Sequence, residues 1–228
     1  MELLILQKGS IFFLCRPKVQ HEEVHSLDDV QHFFIVLKPE DVEHFIFIII
    51  GRKKLPEVQS YFGFVEKIAK NMDQVRDFIA KEHYTTLTKG ERDVQASLCI
   101  GRGKYLLINH EQHTHLVYAL SKPLKLSPVQ KEFHLKKHGD FLITVKSPTQ
   151  PSPPGVGLSS RQKAQYPNRL QSLLGDYRFI PLNPTEFLDY EGTELLFIGK
   201  SSPSLEEKNR EIAHHLGNIK EENIFEKF

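Results

Sequence analysis

The feature that most constrains this chain is an ordered repetition of short apolar runs, because a duplication fixes architecture before any single motif is weighed. One series opens with Gly9 and a strand at Ile11 to Cys15, and the other with Gly103 and a strand at Tyr105 to Ile108. Each continues to a second strand that ends in Lys-Pro, at Lys38-Pro39 and at Lys122-Pro123. Proline stops a ladder there because it has no N–H to donate. A third strand follows in each series: Phe45 to Ile50 before Arg52-Lys53-Lys54, and Phe141 to Val145 before Lys146.

Tyr61, Phe64, Val65, Ile68, Met72, Val75 and Ile79 step at three and four residues, which predicts a helix with one face on a sheet. Its counterpart, Ser160 to Leu174, is interrupted by Pro167, so a short helical turn and then a helix starting near that proline are expected. Two further strands close each series, Tyr84 to Thr88 with Ser97 to Gly101, and Tyr177 to Leu182 with Glu194 to Gly199. The expectation is an α+β fold of two weakly related βββαββ halves, residues 1–102 and 103–200, with largely antiparallel pairing. Residues 201–228 read as a C-terminal helix and tail: Ser204 and Glu207 have capping-box spacing, Leu205, Ile212 and Leu216 form a stripe, and Gly217 ends it. The proline-rich stretch Ser147 to Gly157 reads as a surface loop inside the second half.

Thirty Lys and Arg face twenty-nine Asp and Glu, a formal charge of +1, which excludes a surface built for bulk polyanion or membrane binding. The longest strongly apolar run, Phe45 to Ile50, is far short of the roughly 20 residues that span a bilayer. The first residues lack the basic start and apolar stretch of a secretory signal, so a cytoplasmic protein is expected. Cys15 and Cys99 each lie in an apolar run, where a reduced thiol behaves as a small buried hydrophobe.

Three patterns bear on chemistry. Cations follow several strand ends, in Arg16-Pro17-Lys18, Gly51-Arg52-Lys53-Lys54, Gly101-Arg102-Gly103-Lys104 and Gly199-Lys200. If those ends converge, guanidinium groups and open glycine backbone favour an anion; otherwise they are solvated loop charges. His110, His113 and His115 form a second pattern, with His113 and His115 on one side of a strand and Glu111 nearby as an oxygen ligand. The third, His21-Glu22-Glu23-Val24-His25, has the spacing of a zinc-protease motif but lies between strands, where one helix face cannot present both imidazoles. No phosphate loop, dinucleotide fingerprint, nucleophile elbow or paired-cysteine zinc motif occurs.

Arg16-Pro17-Lys18 with His25 to Gln31, Gly51-Arg52-Lys53, His113-Thr114-His115-Leu116, and Arg178 to Pro181 with Leu188 to Gly192 are similar to a family of uncharacterised bacterial proteins. That resemblance spans most of the chain and implies no activity or ligand. The residues themselves support two expectations. The first is a binding module for a nucleotide, a phosphorylated molecule or a nucleic-acid backbone, held between the halves by Arg16, Lys18, Arg52, Lys53 and Arg102. The alternative is a hydrolase using His110, His113 and His115 as metal ligands or general base. A protein-interaction scaffold shares the sequence features of the first, and its mark would be an exposed apolar patch.

Overall fold

The computed structural model describes residues 3–21, 23–86, 90–153, 156–199 and 209–225. Its long strands are β1 (Leu4–Pro17), β2 (Val30–Pro39), β3 (Phe45–Ile50), β4 (Ser60–Ala69), β7 (Leu98–His110), β8 (His113–Lys122), β9 (His138–Lys146) and β11 (Glu194–Ile198). They pair antiparallel in the order β9-β11-β4-β3-β2-β1-β7-β8, and β8 pairs again with β9, so eight strands close into a barrel. The short β10 (Phe179–Pro181) continues the β8 edge of β9, while β5 (Glu82–Thr86) and β6 (Gly90–Val94) form a separate hairpin. Helices are few among the described residues: α1 (Met72–Ile79), α2 (Pro128–Glu132), α3 (Asn168–Leu174) and α4 (Asn209–Gly217).

The α+β expectation is therefore wrong, for an identifiable reason. Tyr61 to Ile79 is not one helix. Residues up to Ala69 form β4, and only after the side-chain cap at Asn71 does α1 begin. Tyr61, Phe64, Val65 and Ile68 satisfy helical spacing, but β4 carries apolar side chains on both faces and a register shift, which blurs its period of two. Likewise Ser97 to Gly101 and Tyr105 to Ile108 are not two strands: Gly101 and Gly103 lie inside the single strand β7. The reading of Pro167 holds, since α3 starts at the next residue. In the C-terminal segment Ile212 and Leu216 are buried on α4, whereas Ser204, Leu205 and Glu207 lie outside the described residues.

Inward-facing residues from every barrel strand, such as Ile11, Phe13, Ile35, Ile48, Val65, Tyr105, Leu116, Phe141 and Phe197, make one core. An eight-stranded barrel has an interior that side chains alone can fill. The alternate residues Phe12, Leu14, Phe34, Val36 and Phe47 face outward beneath Val75 and Ile79 of α1. Leu106, Ile108 and Val117 face outward beneath Ile212 and Leu216 of α4. Burial on both faces explains why β1, β2 and β3 read as unbroken apolar runs.

The register has an approximate two-fold symmetry. Across the β1–β7 seam, Gly9 pairs with Tyr105 and Ile11 with Gly103; Lys8 pairs with Leu106 and Phe12 with Arg102. Exchanging each β1 residue for its β7 counterpart reproduces the pairing, including both bulges. The opposite seam behaves alike, with Leu195 opposite Gly63 and Phe197 opposite Tyr61. The repeated unit in the register is thus a four-stranded meander followed by a helix that folds back on its outer face, rather than βββαββ. Strands of both meanders share one closed sheet, so no cleft separates the halves.

Both barrel ends are closed. Leu55, Phe133 and Leu135 fill the end where β1 and β3 finish, with the Leu55 amide bonded to the Phe133 carbonyl at 3.0 Å. Tyr166, Leu170, Leu174, Leu182, Phe187 and Leu188 join the core from the connection between β9 and β11. The outer part of that connection, which includes the proline-rich loop, is fastened by a buried ion pair. Lys146 Nζ donates to Glu194 Oε2 at 3.0 Å and to the Gln150 carbonyl at 2.8 Å, and Glu194 Oε1 accepts from the Leu158 amide at 3.1 Å.

Candidate anion site

Strand direction brings the basic sequence ends to the same end of the barrel: β1 and β3 finish there, and β2 and β7 start there. They do not share one cleft. Arg16 is buried and holds the fold together: it donates to Ser97 Oγ at 3.1 Å, pairs with Glu82 at 2.5 Å and bonds the Phe78 carbonyl at the end of α1. Lys53 donates to the Val30 carbonyl at 2.7 Å, while Lys18 and Arg52 are exposed on neighbouring loops. His32 stands near this group, and burial, reinforced by the charges of Arg16 and Lys53, pushes its pKa below the ordinary value. Arg16 and Lys53 thus already serve internal acceptors.

Arg102 is placed differently. It projects from the outer face of β7 and forms an ion pair with Glu221 at 3.4 Å. A register shift between Arg102 and Gly103 sets Lys122 directly opposite it on β8. Both cations line a groove of about 460 Å³ whose other walls include Cys99, Ile100, Gly101, Pro123, Gln130 and Phe225. Gln130 is fixed by its amide donating to the Ile100 carbonyl at 2.6 Å, and Phe225 meets Phe12 edge-on with ring centroids 4.7 Å apart.

The two-fold register supplies an internal control for this arrangement. Lys8 in β1 is the counterpart of Arg102, and the Glu40 amide bonds the Lys8 carbonyl at 3.0 Å, at the point where Lys122 faces Arg102 in the other meander. Lys8 and Glu40 form an ion pair at 3.1 Å. Where one meander places a cation beside a carboxylate, the other places two cations side by side, and the carboxylate arrives from Glu221 far along the chain.

Sequence reading named Arg102 but missed Lys122, Gln130 and Phe225. It treated Lys122-Pro123 as the partner of Lys38-Pro39, whereas the register matches Lys38 with Ala119 and Pro39 with Leu120. The Lys-Pro coincidence hid a bulge that aims Lys122 at Arg102.

The histidines gather on one outer face without forming a metal site. His110 and His113 are paired across the hairpin turn at Glu111 and Gln112, both with positive φ, and His115 is buried with Nδ1 2.9 Å from Asp140. His113 is exposed, and among the described residues no group of three or more His, Cys, Asp or Glu could hold a metal ion. His21 pairs with Asp29 at 3.6 Å and His25 with Glu23 at 3.2 Å in a loop, while Glu22 lies outside the described residues. The two cysteines also differ: Cys15 is buried in the barrel, with burial pushing its thiol up to about 12, but Cys99 is exposed beside the groove.

No family model, curated protein or solved structure matches this chain. No described helix is long and apolar enough to cross a membrane.

Proposed function

We propose that the protein is a non-catalytic binding module whose groove between Arg102, Lys122 and Phe225 holds a small anionic ligand. The observation that carries this reading is the replacement of the Lys8–Glu40 ion pair by two adjacent cations at the matching point of the other meander. Glu221 answers one of the two charges, so the pair still favours a further anion, and Arg with Lys suits carboxylate or phosphate oxygens. The Gly101 backbone and the Gln130 amide border the same space, and its volume suits a small molecule rather than a polymer track. Within the expected class this favours a phosphorylated or carboxylated molecule over a nucleic-acid backbone.

Thermal unfolding with inorganic phosphate tests the reading. Saturation to 100 times Kd stabilises the wild type by about 2.7 kcal/mol, and the double variant R102M/K122M, which keeps the aliphatic stems, loses that gain. An equal shift in both proteins would place any phosphate elsewhere and end the proposal.

A further inference from the structure

The walls of the groove narrow the ligand further, on the premise that the groove binds anions at all. Its cations occupy one part of the surface, while Ile100, Pro123 and Phe225 line the rest. Leu98 and Leu124, chain neighbours of the lining residues Cys99 and Pro123, are 44% and 76% exposed. A space of about 460 Å³ is far larger than an inorganic anion, and an anion alone would leave its apolar walls wet.

The protein's own chain already presents the complementary chemistry. Segment 218–225 crosses the outer face of β1 and β7, held by the Lys220 amide on Glu40 at 3.0 Å and the Glu222 amide on Ser10 Oγ at 2.9 Å. From this strap Glu221 gives a carboxylate to Arg102, and four residues later Phe225 brings a phenyl ring to the same groove. The Phe225 ring is held by Phe12, so an aromatic wall beside the cations is in place before any ligand arrives. Aromatic pairs gain beyond area burial when rings meet offset or edge-on.

We infer that the ligand is an aryl anion: a planar aromatic body bearing a carboxylate, sulfonate or phosphate. Its anionic group takes the place of Glu221 on Arg102 and engages Lys122, and its ring lies against Phe225 and Pro123. Glu221 is then an internal competitor that neutralises Arg102 in the empty groove.

Calorimetric titration of the full chain with 1-naphthyl phosphate, inorganic phosphate and 1-naphthol separates the contributions. Naphthyl phosphate is expected to bind at least about tenfold tighter than either of the others, equivalent to about 1.4 kcal/mol. F225A lowers naphthyl phosphate affinity by about fivefold or more and leaves inorganic phosphate within about twofold, as loss of one ring contact requires. E221Q raises the affinity for both anions by removing the competing charge. Should phosphate bind and depend on Arg102 and Lys122 while naphthyl phosphate gains nothing and F225A is silent, the aryl inference fails and the anion site stands. Absence of binding by every anion, in the wild type and in E221Q, would overturn the site itself. F225L, which keeps a bulky apolar side chain on Phe12, guards against a strap that F225A merely loosens: it too must weaken naphthyl phosphate selectively.

Discussion

His115 and Asp140 hold the positions that Phe34 and Phe47 hold in the other meander: Leu14 pairs with Phe34 as Ile108 does with His115, and Val36 pairs with Phe47 as Val117 does with Asp140. There Phe34 and Phe47 meet edge-on at 6.4 Å; here an imidazole and a carboxylate meet at 2.9 Å, with His115 almost wholly buried. A buried hydrogen-bonding group that loses its partner costs about 1–3 kcal/mol, whereas replacing both partners by apolar groups is far milder. D140A is therefore expected to lower stability in urea more than the double substitution H115F/D140F, which restores the pair found opposite. The reverse ranking would show that the surroundings of the pair, not the pair, set its cost. His32 gives a pH signature of its own. Its folded pKa lies below the unfolded value of 6.5, chiefly through burial and then through Arg16 and Lys53, with Glu82 opposing. The unfolded chain thus takes the proton first, so stability falls as pH drops below about 6.5 until the folded pKa is reached. In H32Q that part of the acid slope should vanish, as read from unfolding free energies between pH 7 and pH 5; identical slopes would place the responsible group elsewhere.

At the scale of elements, Gly9 and Gly103 show how the strands are brought together. A Cβ on Gly9 would run into the Lys38 carbonyl, and one on Gly103 into the Ala119 carbonyl, the same backbone contact in the two meanders. G9A and G103A are accordingly expected to destabilise by similar amounts, each pushing apart a strand pair that is buried on both faces; thermal melts of the two variants make the comparison. These glycines were legible in the sequence, and so were the first three strands of each series, because apolar runs bounded by Gly, Pro or basic residues survive any local ambiguity. Of the fourth strands, β11 was legible too, as Glu194 to Gly199, but β4 was not. In β4 the apolar residues fit a helix as well as a strand, and what decides between them is pairing with β3 and β11, a tertiary fact. The candidate site was half legible for a related reason: Arg102 stands beside glycines that draw attention, but Lys122, Glu221 and Phe225 acquire meaning only through a bulge and a strap. The buried pair of Lys146 and Glu194 belongs to this scale too. K146M leaves Glu194 and its loop contacts around an unpaired buried charge, for which about 3–5 kcal/mol is the expected loss in denaturant unfolding.

For the whole molecule, the two seams make each meander depend on the other. β1 is buried between β2 and β7, and β4 lies between β3 and β11, so neither meander on its own would keep both edge strands paired. The inner core is likewise shared, since Ile11, Val65, Leu107 and Leu195 belong to one cluster drawn from both. Two domains that merely touched would unfold in two steps; a barrel closed by strands of both must open all at once. Differential scanning calorimetry should therefore give one transition whose calorimetric and van't Hoff enthalpies agree. A calorimetric enthalpy near twice the van't Hoff value would mean that each meander melts as a unit, and the shared core would then contribute little to cooperativity. The same dependence bears on the groove. Arg102 and Lys122 come from one meander, while the Phe12 ring that holds Phe225 comes from the other. A substitution in the other meander that displaces β1, such as G9A, whose Cβ would meet the Lys38 carbonyl, should weaken the groove's hold on naphthyl phosphate even though it touches none of the groove's cations.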